Sequence, residues 1–277
     1  MSFVHAAAAV LLSLAALAGE SQSRADELVQ VAPHRASASP AGRNGTPPLL
    51  GFLTRPDGAG RFPAVVLLHG CPGFTGHDTA AATTLRTWGY VGLALDSLGD
   101  ANMCSGSAGI GAAAEMLDAY AALRYLSEQS FVASARMAIM GWSMGGTAAL
   151  AAVEERAVRR AEQASVHAIV AYYPDCGAST GALTAPALIL IGERDDWASA
   201  AQCRKLAAHE SDIGTRREAS SRMPIHLVLY PEARHGFDYR LPPTRYLGHS
   251  MEYDEAAARD AEMQVRDFLR RVLEDPS

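Results

Sequence analysis

The chain has 277 residues, which is enough for one sizeable α/β domain. Its composition is 49% hydrophobic and 19% charged, and its formal net charge is −6. This composition is that of an ordinary globular protein and lacks the basic excess of a nucleic-acid-binding protein. The sequence therefore predicts no nucleic-acid partner.

Residues 1–25 resemble a secretory signal peptide. An apolar stretch from Ala6 to Ala18 has the length of a signal core and is too short to span a bilayer as a helix. Small residues at Ala16 and Ala18 fit a cleavage site, and Ser23-Arg24-Ala25 forms a second, weaker one. The preceding residues contain no Lys or Arg, so a disordered leader is the alternative. No later segment reaches the length of a membrane span. We expect export to the periplasm or the exterior.

Residues 26–48 are expected to be an irregular lead-in. Pro33 to Pro48 is rich in Pro, Ala, Ser and Gly, which favours turns over regular structure. Residues 49–277 show neither an internal repeat nor a domain boundary, and they are predicted to form one domain.

Continuous apolar runs alternate with helical stretches in this domain. Such runs are typical of strands buried on both faces, as in a parallel sheet covered by helices. The predicted strands are Pro63–Gly70, Tyr90–Ser97, Arg136–Gly141, His167–Pro174, Pro186–Glu193 and Ile225–Ala233. The predicted helices are Asp78–Trp88, Ala112–Glu128, Met144–Arg156, Ser199–His209 and Asp254–Leu273. This order predicts a doubly wound, mostly parallel α/β sheet with helices on both faces, and sites at the carboxyl ends of its strands.

Ser143 is the candidate nucleophile. It lies at the centre of Gly-x-Ser-x-Gly, between a predicted strand that ends near Met140 and a predicted helix. Gly141 and Gly145 permit the close backbone approach that a nucleophile elbow requires. A plain strand-to-helix turn is the alternative interpretation.

A serine nucleophile needs a base, and in this type of fold the histidine follows the serine along the chain. His167 and His226 lie at the beginnings of strands, and His209 ends a helix. His235 follows a strand and a turn, where its ring can reach the strand ends. We therefore predict His235 as the base, with His249 in reserve.

The base needs an orienting carboxylate. Asp195 and Asp196 come just after a buried strand, and the spacing from Gly192 favours Asp195. Asp196 is expected to cap the following helix. Glu193 and Asp175 are weaker candidates.

An oxyanion formed during acyl transfer needs preorganised donors. The N–H of Met144 is one candidate, since Met144 begins the helix after the serine. The loop "HGCPGF" follows an earlier strand and should supply the second; Pro72 has no N–H, which leaves Cys71. His69 in the same loop is expected to be a structural hydrogen-bonding residue.

Four cysteines follow the predicted signal peptide. An even number in an exported chain favours disulfides, and no CxxC spacing indicates zinc. Strand-end positions favour the pairs Cys71–Cys104 and Cys176–Cys203, because each pair should emerge on neighbouring strands at the carboxyl edge. Free buried thiols are the alternative.

The chain resembles the dienelactone hydrolase family of α/β-hydrolases from about Gly51 to Leu273. The stretches that carry the resemblance are "VVLLHGCPGF", "GYVGLALDSLGD", "DAYAALRYLSEQSFVASARMAIMGWSMGG", "LILIGERDDWASAAQCR" and "LYPEARHGFDY". It implies a Ser143/Asp195/His235 triad, no metal and no organic cofactor. The founding members carry cysteine at the nucleophile position, so serine here favours a broader range of esters.

These patterns predict a serine hydrolase that cleaves a small-molecule carboxylic ester or lactone through an acyl-enzyme. A peptidase or acyltransferase on the same triad is one alternative, because leaving-group preference depends on pocket shape. A non-catalytic binding protein on the same scaffold is the other. No particular oligomeric state is indicated.

Overall fold

A computed structural model describes residues 26–33, 47–97, 108–161, 166–210 and 223–274. The predicted signal peptide, the middle of the predicted lead-in and Cys104 lie outside these ranges. None of the helices within them has both the length and the apolar character that crossing a bilayer requires.

An eight-stranded sheet forms the centre of the molecule, with strand order β1-β2-β4-β3-β5-β6-β7-β8. The strands from β3 to β8 pair in parallel, whereas β2 pairs antiparallel with β1 and β4. The six predicted strands are all present: β3 (Phe62–Leu68), β4 (Val91–Asp96), β5 (Val132–Trp142), β6 (Ala168–Tyr172), β7 (Ala187–Gly192) and β8 (Ile225–Tyr230). With helices on both faces, this confirms the predicted doubly wound α/β fold.

The expectation of an irregular segment over residues 26–48 is wrong for its first part. Asp26–Val31 forms β1, which pairs along its length with β2 (Leu49–Thr54). Most side chains of β1 face solvent, and Leu28 is 80% exposed. An edge strand of this kind lacks the continuous apolar run that predicts the central strands.

In the described part of the chain, six α-helices connect or flank the strands: α1 (Gly76–Thr87), α2 (Ala108–Ser127), α3 (Met144–Ala152), α4 (Glu155–Ala161), α5 (Ala200–Ala207) and α6 (Glu255–Leu269). A π-helical segment, Arg270–Glu274, continues α6, and a short hairpin joins β9 (Thr244–Tyr246) to β10 (His249–Met251). The helix predicted as Met144–Arg156 is interrupted before α4. There the buried Glu154 turns inward, and its carboxylate accepts hydrogen bonds from Ser179 and Thr180.

The strand order determines where the loops that carry the predicted site residues lie. The chain passes from β3 to β4 on one side and then returns to place β5 on the other side of β3. The loops that follow β3 and β5 therefore diverge at the carboxyl edge and leave a crevice between them. The "HGCPGF" loop and Ser143 lie at this switch point.

Candidate active site

Ser143 occupies a strained turn between β5 and α3. Its φ is 53° and its ψ is −112°, a conformation that non-glycine residues rarely adopt. A Cβ on Gly141 would lie 2.2 Å from the Gly145 carbonyl oxygen, and one on Gly145 would lie 2.3 Å from that of Leu68. The two glycines are therefore required by close backbone contact, and the turn holds the serine hydroxyl out above the sheet.

A chain of hydrogen bonds connects the three predicted triad residues. Ser143 Oγ lies 2.9 Å from His235 Nε2, and His235 Nδ1 lies 2.8 Å from Asp195 Oδ2. Because an ionised carboxylate can only accept, Nδ1 carries the proton and Nε2 is free to accept from the serine hydroxyl. The structure thus places these residues as base-assisted nucleophilic catalysis requires.

The carboxylate of Asp195 is fixed from both sides. While Oδ2 accepts from His235, Oδ1 accepts from the backbone N–H groups of Trp197 and Ala198, each at 2.8 Å. The side chain is fully buried. These bonds hold the carboxylate, and through it the imidazole, in one orientation.

Asp196 does not cap the next helix, contrary to expectation. Ser199 is the N-cap of α5, since its hydroxyl accepts from the N–H of Gln202. The carboxylate of Asp196 instead accepts from the N–H of Ser250 at 3.0 Å. Asp196 therefore fastens β10 to the loop that carries Asp195.

His249, the reserve candidate for the base, makes no contact with the serine. Its Nδ1 lies 2.9 Å from the carbonyl oxygen of Asp196, and its ring stacks on Trp197 at 4.6 Å between ring centroids. The ring of Trp197 also contacts that of His235, at 4.9 Å between centroids. His249 thus packs against the side chain that contacts the predicted base.

The two predicted oxyanion donors flank the serine. Met144 begins α3, and Cys71 lines the narrow space above Ser143 together with Gly70. The N–H of Ser143 itself donates to the carbonyl of Tyr172 at 2.9 Å. The N–H of Ser143 is therefore engaged within the sheet and does not point toward the space above the hydroxyl.

His69 holds the peptide unit that carries the Cys71 N–H. Its Nδ1 lies 2.9 Å from the carbonyl oxygen of Gly70, which also accepts from the N–H of Gly73 at 3.0 Å. Its Nε2 lies 3.1 Å from the carbonyl oxygen of Ser97. In a trans peptide the C=O and N–H groups point in opposite directions, so these contacts orient the Cys71 N–H. His69 is thus the structural residue that the sequence predicted.

Three buried carboxyl groups lie behind His69. Glu115 Oε1 is 3.3 Å from His69 Nδ1, and burial together with Asp118 and Asp78 raises the pKa of Glu115 well above its ordinary value. Burial likewise raises the pKa of Asp118 to about 6 and raises that of Asp78. Among the described residues, no group of three or more His, Cys, Asp or Glu could hold a metal ion.

Asp238 is an important site residue that the sequence analysis missed. Its carboxylate accepts hydrogen bonds from Trp142 Nε1 at 2.7 Å and from the Tyr173 hydroxyl at 2.6 Å, and it lies 3.3 Å from His77 Nε2. Burial raises the pKa of Asp238, but His77 and the hydrogen bonds outweigh it, and the net pKa is lowered. The only signal in the sequence is an acid soon after His235, in "HGFD".

One predicted disulfide pair is complete in the described residues, and one cysteine of the other pair is described. Cys176 and Cys203 are bonded, with their Cα atoms 5.0 Å apart, which confirms that pair. Cys71 is also disulfide-bonded. Its predicted partner, Cys104, lies outside the described residues. The Cys176–Cys203 bond joins the turn that follows β6 to α5, the helix that follows Asp195.

Comparison of the sequence with known proteins identifies its relatives. The dienelactone hydrolase family model matches residues 49–273. A Bradyrhizobium protein named "Probable 2-oxo-3-(5-oxofuran-2-ylidene)propanoate lactonase" is 28% identical over 204 residues, covering 68% of this chain and 78% of that protein.

Solved structures share the fold at low identity. A dienelactone hydrolase-like promiscuous phosphotriesterase from metagenomic libraries has a TM-score of 0.69 and 19% identity, covering 90% of this chain and 99% of the other. A dienelactone hydrolase from Anabaena variabilis has a TM-score of 0.62 and 18% identity, covering 90% and 98%.

The fold and the elbow define an α/β-hydrolase. The family match, which spans most of the chain, shows that this protein belongs to the dienelactone hydrolase family. It is an ester-cleaving hydrolase.

Proposed function

We propose that the protein is an exported serine hydrolase that cleaves small carboxylic esters or lactones through an acyl-enzyme. The observation that carries the proposal is the unbroken hydrogen-bond chain from Ser143 Oγ through His235 to Asp195. The family membership and the lactonase relative support the ester or lactone class.

In the first half-reaction, Ser143 Oγ attacks the carbonyl carbon while its proton passes to His235 Nε2. The carbonyl oxygen becomes an oxyanion, to which the N–H groups of Cys71 and Met144 would donate. Collapse of this intermediate breaks the bond to the leaving oxygen, which takes the proton from Nε2. The product is an alcohol and an acyl group on Ser143; with a lactone, the alcohol remains part of the acyl chain.

In the second half-reaction, water attacks the acyl group while His235 Nε2 takes one of its protons. Collapse of the second intermediate returns that proton to Ser143 Oγ and releases the carboxylic acid. Asp195 stabilises the imidazolium that forms in both steps and keeps Nδ1 protonated.

A fluorophosphonate probe tests the nucleophile directly, since it forms a covalent bond only with an activated serine. We expect labelling of the wild type and none of Ser143→Ala. A folded wild type that resists the probe and cleaves no ester would favour the non-catalytic binding protein.

The export part of the proposal rests on residues 1–25 alone. Expression of the full chain in a bacterial host, followed by fractionation and N-terminal sequencing, tests it. A mature protein that begins after Ala18 or after Ala25 supports export. An intact N-terminus in the cytoplasmic fraction would contradict it.

A further inference from the structure

Very little room lies directly above the candidate nucleophile. The space lined by Ser143 and His235 has a volume of about 10 Å³, roughly that of a single water. An ester carbonyl can be placed there only if the rest of the molecule extends elsewhere.

A much larger cavity adjoins this space. It has a volume of about 730 Å³, within the usual range for small-molecule sites. It lies between α1, α6 and the segment that carries Asp238 to Met251. Four residues line both spaces and form a wall between them: Pro72, Trp142, Tyr239 and Met251.

The larger cavity is mainly apolar inside, where His77 and Asp238 are polar lining residues, and it is charged at its rim. Its buried lining includes Leu85, Met140 and Val265, each no more than 4% exposed. Its exposed lining includes the charged side chains of Arg240, Arg245, Arg259 and Glu262. A ligand would therefore gain most by burying an apolar body among the inner residues.

Most of the wall is rigid. Trp142 is fixed by its hydrogen bond to Asp238, and Tyr239 stacks on His77 with 4.0 Å between ring centroids. Met251 is the adaptable member, since an unbranched thioether changes rotamer at little cost. It forms a β-bridge with His235. Of the four wall residues, Met251 is therefore the one that a substrate can displace most easily.

We propose that this cavity binds a bulky apolar group of the ester substrate, an aromatic ring or a medium-length alkyl chain, while the carbonyl lies above Ser143. The inference rests on the proposed function and adds the substrate class to it. It makes the larger cavity the main determinant of which esters are turned over quickly.

Substitutions that fill the cavity test this inference. Ala258 on α6 and Ala81 on α1 both line it and lie away from the triad. The indole of Ala258→Trp should fill part of the cavity from α6, and that of Ala81→Trp should fill part of it from α1. The matched control is Ala256→Trp, an exposed position on the same helix as Ala258 that does not line the cavity.

Each variant is assayed with two ester series. One varies the acyl group, from p-nitrophenyl acetate to octanoate, and the other varies the alcohol, from phenyl acetate to 2-naphthyl acetate. Burying one methylene group is worth about a fourfold change in kcat/KM. We expect the wild type to prefer the larger members of at least one series, and the filled variants to lose that preference by about tenfold or more. Turnover of the smallest ester and the Ala256→Trp control should change by less than about twofold.

Shortening the side chain of a wall residue tests the inference in the opposite direction. Met251→Ala thins the wall between the two spaces and should raise kcat/KM for the large esters relative to acetate. An active enzyme whose size preference is the same in all these variants would overturn the inference and leave the proposed function intact. A folded wild type that cleaves neither series would overturn both.

Discussion

The indole Nε1–H of Trp142 donates a 2.7 Å hydrogen bond to Oδ2 of Asp238. This bond joins the residue that precedes the candidate nucleophile to the turn that carries the candidate base. Through its other oxygen, Asp238 also accepts from Tyr173, whose ring lies 4.6 Å from that of His235. One buried carboxylate thus positions side chains on both sides of the serine.

Asp238→Ala should therefore lower both stability and turnover. The loss leaves the buried Trp142 and Tyr173 donors unpaired, and a hydrogen bond to a charged group contributes about 1.5–3 kcal/mol. Trp142→Phe removes one donor only and should be milder. Thermal unfolding and kcat on a small ester measure both effects. An Asp238→Ala variant as stable and active as the wild type would show that the network positions nothing.

Removal of the triad residues should abolish catalysis without unfolding the protein. Ser143→Ala should reduce kcat by about four to six orders of magnitude, and His235→Ala by a similar factor. The double variant should be little worse, because the residues act as one unit. Steady-state kinetics with circular dichroism as the folding control provide the check. Near-normal turnover by His235→Ala would refute its assignment as the base.

The neighbouring acids Asp195 and Asp196 form a matched pair. Asp195→Asn should lower kcat by about 10⁴-fold, because an amide cannot hold the imidazole in the required tautomer. Asp196→Asn should change kcat by less than about threefold, since its contacts to Ser250 and His249 are partly exposed. Kinetics of the two variants under identical conditions decide the question. The reverse ranking would transfer the role to Asp196.

Asp118 should make the folded state less stable as the pH rises. Burial raises its pKa to about 6 from an ordinary value of 3.8, so the folded protein holds this proton more tightly than the unfolded chain does. The stability that this group contributes is complete below about pH 4 and is lost as the pH rises through about 6.

Asp118→Asn cannot ionise, so it should flatten this part of the profile and be more stable than the wild type at pH 7. Urea unfolding at a series of pH values measures the slope. Asp57→Asn, at an exposed position, is the control and should leave the slope unchanged. A steeper fall in the Asp118→Asn variant would contradict the assignment.

The Cys176–Cys203 disulfide should stabilise the segment between these two cysteines, which carries Asp195. It closes a loop with a sequence separation of 27, for which chain entropy predicts a contribution of about 3.5 kcal/mol. The double variant Cys176→Ala/Cys203→Ala should unfold at a temperature about 10 °C lower and turn over more slowly. Calorimetry and steady-state kinetics of the double variant test this prediction.

Non-reducing peptide mapping separately tests whether Cys71 pairs with Cys104, and recovery of another partner for Cys71 would refute that pair.

The features that could be predicted from the sequence are those that depend on the local pattern of residues. Buried parallel strands are continuous apolar runs, and the elbow is a short motif, so β3 to β8 and the position of Ser143 could be read directly. His235 and Asp195 could also be predicted, because both come after strands and a parallel sheet brings the carboxyl ends of its strands to one edge.

Features that depend on contacts between distant segments were missed. Asp238 is distinguished from other acids only by meeting Trp142 and Tyr173, and Glu154 interrupts a helical pattern only because Ser179 and Thr180 approach it. The strand β1 exists because β2 lies beside it. The local periodicity of the sequence contains no information on these contacts between distant segments.

The glycines of the elbow and the alanines of the larger cavity impose opposite limits on sequence change. A side chain at Gly141 or Gly145 would collide with backbone atoms that cannot move away, so the turn tolerates hardly any substitution. Ala81 and Ala258 line the larger cavity, where a bigger side chain can extend into the cavity volume. Selection or laboratory evolution can therefore redirect such an enzyme toward new esters through α1 and α6 while its reactive turn stays unchanged.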